Sequence, residues 1–202
     1  MGNGCMGKSL SKEDLQYLLE TTCFTETQIR QWYTGFMKDC PDGYLRRSQF
    51  LSIYEALFTD HRASAFYSHV FRAFDEDGSG CIDFKEFLQA ISVTQSGLPK
   101  DRLKLAFKLY DVDSSGQVEI HEMAEIIKAV YLMMDPDMED LVEQAEKKAQ
   151  DVFTKVDVDN DGFVTEDEFV TACITDDSLY RLLASGDVAV KRATKDGDTT
   201  TD

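Results

Sequence analysis

Carboxylates alternate along residues 157–168 at a spacing that suits the coordination of one metal ion. Aspartate occupies the first, third and fifth positions of this segment, and glutamate closes it at the twelfth. Ca²⁺ is a hard cation that takes six to eight oxygen ligands at about 2.3–2.6 Å, and a turn with this spacing delivers them. Gly162 at the sixth position permits the left-handed backbone that the sharp turn requires. The expected ligands are Asp157, Asp159, Asp161, the Phe163 carbonyl, Thr165 (often through water) and Glu168.

Two earlier segments, residues 75–86 and 111–122, repeat the pattern with serine at the fifth position. The expected ligands in the first of them are Asp75, Asp77, Ser79, the Cys81 carbonyl, Asp83 and Glu86. In the second they are Asp111, Asp113, Ser115, the Gln117 carbonyl, Glu119 and Glu122. All three segments match the calcium loop of the EF-hand motif. The chain is therefore predicted to bind Ca²⁺ at three sites, with Mg²⁺ as an alternative occupant in the resting state.

A fourth segment, residues 38–49, has the length of the same loop but the wrong ligands. Lys38 stands at the first position, Cys40 at the third and Gln49 at the twelfth. A cation at the first position and the lack of a closing carboxylate should abolish metal binding. This first hand is predicted to be inactive, although Leu45 can still pair with the loop of a neighbouring hand.

Four repeated hands predict the fold, because EF-hands associate in pairs. The expected fold class is all-α, with four EF-hands paired in two lobes and short β-pairing between loops. The gap at residues 95–100 is marked by Gly and Pro and is predicted to separate the lobes, with a new helix from Asp101. The expected division is an N-terminal lobe at 1–94, a linker at 95–100, a C-terminal lobe at 101–185 and a disordered tail at 186–202.

Capping residues predict where several helices begin. Ser11 is expected to cap the first helix, and Thr25 the second, with Gln28 three positions later as its capping-box partner. The dipeptide at 135–136 is Asp-Pro, which predicts a cap and first position for a helix that runs to about Val156.

The chain is strongly acidic, with a net charge of −17. An acidic surface without a basic stripe excludes nucleic acid as a partner and favours basic or amphipathic protein targets. The 5 cysteines form no C-x-x-C pair, and no stretch is long and apolar enough to span a membrane. These features predict a reduced, cytoplasmic setting.

The opening residues suggest a lipid anchor. Met-Gly at the start is suited to N-myristoylation of Gly2, although Met6 replaces the usual Ser or Thr. Cys5 would be a neighbouring palmitoylation site, and an unmodified end is the alternative. A lipid on Gly2 would make association with a membrane the expected behaviour.

Several short motifs resemble one family, the neuronal calcium sensors (recoverin, visinin-like proteins, neurocalcin, frequenin and the potassium-channel-interacting proteins). The resemblance extends over about residues 10–188 and is most specific in the inactive first hand, with Cys40-Pro41 and Gly43 after a Gln-Trp-Tyr-x-x-Phe run at 31–36. The runs Lys-Leu-Tyr-Asp at 108–111 and Ile-Asp-Phe-Lys-Glu-Phe at 82–87 are also typical.

The resemblance implies a mechanism in which Ca²⁺ binding extrudes a buried myristoyl group and opens an N-terminal hydrophobic groove. The implied partner is an amphipathic helix of a membrane-associated target (kinase, cyclase or channel class), and the implied location is cytoplasmic with calcium-dependent membrane association. The residues at matching groove positions are Phe24, Trp32, Tyr33, Phe36, Ile53, Tyr54, Phe58, Phe87 and Ile91. Core packing is the competing interpretation for about half of them.

Other functions are distinguishable in principle. A calcium buffer would bind ions without exposing apolar surface, and a regulatory subunit similar to that of calcineurin would be expected to keep an active first hand. No acid–base or nucleophile constellation is visible, so the chain is not expected to be an enzyme. The sequence leaves monomer and homodimer open.

Overall fold

The computed structural model describes residues 10–57, 64–134 and 140–184 of the chain. These residues are mainly helical. The helices are α1 (Lys12–Thr21), α2 (Glu26–Asp39), α3 (Arg47–Leu57), α4 (Ser64–Phe74), α5 (Phe84–Ser96), α6 (Pro99–Tyr110), α7 (Ile120–Met134), α8 (Leu141–Val156), α9 (Glu166–Thr175) and α10 (Asp177–Leu183). The strands are β1 (Tyr44–Arg46), β2 (Cys81–Asp83), β3 (Gln117–Val118) and β4 (Val164–Thr165).

The short strands join the loops in pairs and thereby define two lobes. β1 pairs antiparallel with β2, with Leu45 opposite Ile82. β3 pairs antiparallel with β4, with Val118 opposite Val164. Side chains alternate across a strand, so one residue in each loop points inward while its neighbours face the loop. The predicted fold class, all-α with EF-hand pairs and short β-pairing between loops, is confirmed.

The helix starts follow from local capping. The Ser11 side chain accepts a hydrogen bond from the Asp14 amide, which opens α1. Thr25 and Gln28 form a reciprocal capping box at the start of α2, as the sequence predicts. Each such cap satisfies backbone donors that the first turn leaves without partners.

The predicted linker at 95–100 coincides with the end of α5 and the start of α6. Only Gly97 and Leu98 lie between the two helices, and Pro99 occupies the first helical position, so α6 begins before Asp101. Pro is well suited to that position because it has no amide to satisfy. At Gly97 a Cβ would lie 2.4 Å from the Val93 carbonyl oxygen, so only glycine fits this turn.

The two lobes are in direct contact across this turn. α4 packs against α6 and α7, and α5 packs against α6. The largest fully buried side chains come from both lobes and include Phe66, Tyr67, Leu103, Met123 and Phe169. Helices of the N-terminal lobe are thus placed beside the third loop. Within the described residues, no helix has the length and apolar character needed to cross a membrane.

Candidate metal centres

The second loop is built by the ends of two helices. α4 ends at Phe74, one residue before the loop begins, and Asp83 caps the start of α5. The Asp83 carboxylate accepts from the Glu86 amide at 2.9 Å, while Glu86 Oε2 accepts from the Asp83 amide at 2.8 Å. The ninth and twelfth loop positions therefore form a capping box, and helix initiation positions the closing glutamate.

Backbone amides of the second loop orient its first and last carboxylates. Asp75 accepts from the Ser79 amide and the Gly80 amide, both at 2.9 Å. Glu86 Oε1 accepts from the Glu76 amide at 2.9 Å, across the loop. These bonds hold the carboxylates around one centre, and oxygens of Asp75, Asp77 and Glu86 all lie within 4.8 Å of one another.

The third loop has the same construction. Asp111 accepts from the Ser115 amide at 2.9 Å and the Gly116 amide at 3.0 Å. Glu122, which is only 2% exposed, accepts from the Val112 amide at 2.8 Å. Oxygens of Asp111, Asp113 and Glu122 again lie within 4.8 Å of one another.

The fourth loop gathers a different trio. Here Asp157, Asp159 and Asp161 bring their oxygens within 4.8 Å of one another. Glu168 accepts from the Val158 amide at 3.1 Å and from the Thr165 amide at 2.9 Å. Although burial raises the pKa of Glu168, the hydrogen bonds from Thr165 and Val158 outweigh it and leave the pKa below its usual value.

One buried oxygen in the fourth loop is an independent sign that the loop fits a cation. Asp157 is 7% exposed, and its Oδ1 atom has no hydrogen-bond partner. A buried carboxylate oxygen without a donor is costly unless a cation or donor compensates it. The Oδ2 atom is occupied by the Gly162 amide at 3.2 Å, so Oδ1 is the atom left for a metal.

The electrostatics of the loops also suit a hard divalent cation. Burial raises the pKa of the Glu86 carboxyl, and the nearby Asp83 and Asp77 carboxylates act in the same direction. Hydrogen bonds from Ser79 hold the pKa of Asp77 below its usual value, and those from Ser115 do the same for Asp113. Clustered, ionised oxygens repel one another, and a hard cation relieves that repulsion. The donor sets of all three loops consist of oxygen and fit Ca²⁺.

The first loop contains a positively charged side chain, Arg46, instead of a set of metal ligands. The Arg46 guanidinium forms an ion pair with Asp42 across the loop, and this hydrogen bond lowers the pKa of the Asp42 carboxyl. Gln49 accepts from the Arg46 amide at 3.1 Å, which reproduces the capping contact of a closing glutamate without its charge. Cys40 is buried, only 2% exposed, and is part of the hydrophobic core. The inward strand residue Leu45 is retained.

The predicted groove residues divide into core and surface. Phe24, Phe36 and Ile91 are buried, whereas Trp32, Tyr33 and Phe87 are partly buried and Ile53 is 46% exposed. We call the rings that join α2 to α5 the aromatic cluster; its members are Phe24, Trp32, Tyr33, Phe36, Phe84 and Phe87. In this structure the buried members form core, so any target surface must begin at the partly exposed ones.

Phe84 belongs to this cluster but was not among the predicted groove residues. Its ring centroid lies 4.9 Å from that of Tyr33 and 5.5 Å from that of Phe36. The helical spacing of Phe84, Phe87 and Ile91 along α5 was a signal that could have found it.

Some predicted features lie outside the described residues. These are the myristoylation site Gly2, the groove residue Phe58, the Asp-Pro cap at 135–136 and the tail at 186–202; the side chain of Tyr54 is also not described.

Comparison with known proteins agrees with this architecture. Residues 100–174 match the EF-hand domain pair and residues 67–94 match the EF hand domain. Fold and loops together define an EF-hand protein.

Three curated relatives show to which family of EF-hand proteins the chain belongs. Human (Homo sapiens) recoverin is 36% identical over 199 residues, covering 96% of this chain and 99% of its own. S-modulin of Aquarana catesbeiana is 38% identical over 190 residues, covering 91% and 92%. Neuronal calcium sensor 1 of Lymnaea stagnalis is 38% identical over 183 residues, covering 88% and 96%. The chain belongs to the neuronal calcium sensor family, and its function is that of a calcium sensor.

Proposed function

We propose that this sensor binds three Ca²⁺ ions, through its second, third and fourth loops, and regulates a membrane-associated target protein. The observation that carries the proposal is the presence of three carboxylate trios, each with its oxygens within 4.8 Å. The first loop contributes no ion, because Arg46 already neutralises Asp42 there. Mg²⁺ is the expected alternative occupant of these loops at resting calcium.

The route from the second loop to the target surface is short. Glu86 lies in the first turn of α5, and the same helix carries Phe84 and Phe87. Phe87 packs edge-on against Trp32 of α2 with ring centroids 5.8 Å apart. A bound Ca²⁺ supplies charge that draws the loop oxygens together. A shift of the Glu86 carboxylate towards the loop centre would turn α5 and alter the contact between these rings.

The surface exposed in this way suits an amphipathic helix, bound in the helix-in-groove mode. Trp32 and Phe87 are already partly exposed, and Ile53 of α3 is 46% exposed. The net charge of −17 favours basic residues on the target beside its apolar face. Membrane-associated kinases, cyclases and channels are the proposed target class.

Membrane association is proposed to come from a myristoyl group on Gly2. A single myristoyl chain provides an association constant of only about 10⁴ M⁻¹, so hiding or exposing it is enough to change location. The protein would then be cytoplasmic at low calcium and bound to membranes at high calcium. When the protein is made in a myristoylating host, Gly2→Ala should abolish its calcium-dependent sedimentation with liposomes. If wild-type protein from that host has the mass of the unmodified chain, this part of the proposal is excluded.

Fluorescence of Trp32 distinguishes a sensor from a buffer. The chain has 1 tryptophan, and it lies in the aromatic cluster, so its emission reports the contact between α2 and α5. A calcium titration should change this emission and increase the binding of an apolar dye. Glu86→Gln should suppress the change, whereas Glu168→Gln, the matched substitution in the other lobe, should largely preserve it. Ion uptake with no change in either signal would identify a buffer.

Truncation of Trp32 tests the target surface. Large aromatic side chains at the centre of an interface often contribute 2 kcal/mol or more. Trp32→Ala should therefore weaken binding of a basic amphipathic helical peptide by about thirtyfold while calcium stoichiometry is retained. Tyr44→Ala is the control, because Tyr44 is 50% exposed in the same lobe and is not a member of the aromatic cluster. Equal peptide affinity for the Trp32 variant and wild type would place the surface elsewhere.

A further inference from the structure

One arginine of the N-terminal lobe reaches into the third loop. Arg72, near the end of α4, donates to the main-chain oxygen of Lys108 at 3.1 Å, to that of Leu109 at 2.7 Å and to that of Asp111. Lys108 and Leu109 are in the last turn of α6, and Asp111 is the first residue of the third loop. A single guanidinium thus binds three carbonyls where the helix becomes the loop.

These carbonyls need a partner that the chain does not provide locally. The last turn of a helix leaves its carbonyl groups without intrahelical donors, and a glycine in left-handed conformation commonly closes the end. Here α6 runs directly into Asp111, whose φ of −72° is not left-handed. The planar guanidinium, with five donors in a fixed fork, satisfies several carbonyls at once and also complements the negative end of the helix dipole.

Two other contacts join the two lobes near Arg72 but are weaker. Lys108 Nζ lies 2.6 Å from Glu76 Oε1, and His69 Nε2 lies 3.4 Å from Glu125 Oε1. Glu76 is 61% exposed, and exposed ion pairs contribute only about 0–1 kcal/mol. Burial lowers the pKa of His69, so its contact with Glu125 becomes an ion pair only in acid. Hydrogen bonds from a charged group that is partly buried are each stronger, so Arg72 dominates the connection.

We propose that Arg72 is a positioning residue for the third calcium loop: it holds the Asp111 backbone from the second hand's entering helix, and the third loop depends on it for its calcium affinity. This inference rests on the proposed binding of Ca²⁺ by the third loop. Arg72 precedes the second loop by three residues, since that loop begins at Asp75. The third site is therefore assembled by residues of both lobes.

The charge of Arg72 and its positioning of the loop predict opposite effects on the calcium affinity of the third site when Arg72 is neutralised. The two roles can therefore be distinguished by experiment. The carboxylates of Asp111 and Glu122 lie within electrostatic reach of the Arg72 guanidinium. If Arg72 acted only through its charge, it would repel Ca²⁺, and neutralising it would strengthen the third site. If Arg72 positions the loop, neutralising it weakens the site in spite of the charge that is removed.

Calcium affinity of the isolated third site is the first measurement. In full-length protein carrying Glu86→Gln and Glu168→Gln, calorimetry reads the third loop. Adding Arg72→Gln or Arg72→Lys should weaken binding about tenfold or more, because neither side chain can donate to three carbonyls at once. Lysine keeps the positive charge but lacks the planar, forked guanidinium, so it separates the effect of geometry from that of charge. The control Arg30→Gln removes an exposed charge on α2 and should change affinity less than about twofold. Unchanged or tighter binding by the Arg72→Gln variant overturns the proposal.

Hydrogen exchange in calcium-free protein tests the same role without a metal. The Ser115 and Gly116 amides, which donate to Asp111, should exchange faster in Arg72→Lys and Arg72→Gln proteins than in wild type. The matched amides of Ser79 and Gly80 in the second loop should not. Equal acceleration in both loops means general destabilisation and overturns the proposal. Absence of calcium binding in the Glu86→Gln, Glu168→Gln protein itself would instead refute the proposed function of the third loop, and the exchange comparison would still decide the role of Arg72.

Discussion

The first hand, which is predicted to bind no metal, has a structural role that a single substitution can measure. Leu45 of β1 lies opposite Ile82 of β2, and these side chains are 5% and 0% exposed. Leu45→Ala deletes three carbons, a loss of about 2.4 kcal/mol at about 0.8 kcal/mol per buried methylene. The cavity that remains raises the expected loss in the free energy of unfolding to about 3–4 kcal/mol.

The adjacent residue in the same strand is a matched control. Tyr44 is 50% exposed and points to the opposite side of β1, so Tyr44→Ala should cost less than about 1 kcal/mol. Urea unfolding of calcium-free protein, followed through Trp32 emission in the same lobe, measures both losses. Equal losses for the two variants would refute the account of β1 as an inward-facing support.

The same substitution should affect calcium at one loop only. Ile82 lies between Cys81 and Asp83, two expected ligands of the second loop, and its position depends on Leu45. Leu45→Ala should therefore weaken the second site, whereas the third and fourth loops pair with each other and should bind as before. Calorimetry resolves these sites, and an unaltered second site would show that the first hand does not support it.

Two further variants or treatments probe local features. Thr25→Ala removes the capping box of α2 and should lower the free energy of unfolding by about 1 kcal/mol, measured by urea unfolding; no loss would mean that the cap is replaced by water. Burial raises the pKa of Cys173 to about 12, so its thiolate appears only far above neutral pH and the folded protein should label slowly at Cys173 between pH 7 and about 9. Exposed Cys23 should label quickly over the same range, as shown by mass spectrometry of peptides, and comparable rates at the two cysteines would contradict the burial of Cys173.

The fold could be predicted because each of its signals is local. Alternating oxygens with a glycine at the sixth position mark a loop, and the eighth position of each loop supplies the inward strand residue. Leu45 was expected to pair with a neighbouring loop on this basis, and it does. The start of α2 followed from Thr25 and Gln28, which are three residues apart.

Features that depend on contacts between distant segments could not be predicted. Nothing in the sequence beside Arg72 indicates that its partners are carbonyls 36–39 residues further along the chain. The predicted linker at 95–100 also proves to be a tight turn of Gly97 and Leu98 between two helices that pack against each other. These arrangements depend on tertiary packing, for which a single sequence carries no periodic signal.

The sequence predicted which residues form the candidate sites more completely than how the atoms of those residues are arranged. The sequence named the oxygens of each loop, but it did not show that Asp157 keeps an unpartnered buried oxygen or that Glu168 bonds to Thr165 and Val158. In the aromatic cluster it could not separate core residues such as Phe36 from partly exposed ones such as Trp32. Burial on a helix face depends on which neighbour covers it.

The stoichiometry of calcium binding tests the central claim most directly. Calorimetric titration of the full-length protein should yield three Ca²⁺ ions per chain. Glu86→Gln, Glu122→Gln and Glu168→Gln should each reduce the value to two, because each removes a closing carboxylate. A wild-type value of four would contradict the account of Lys38, Arg46 and Gln49 in the first loop, and a value of two would contradict the assignment of one of the three carboxylate trios.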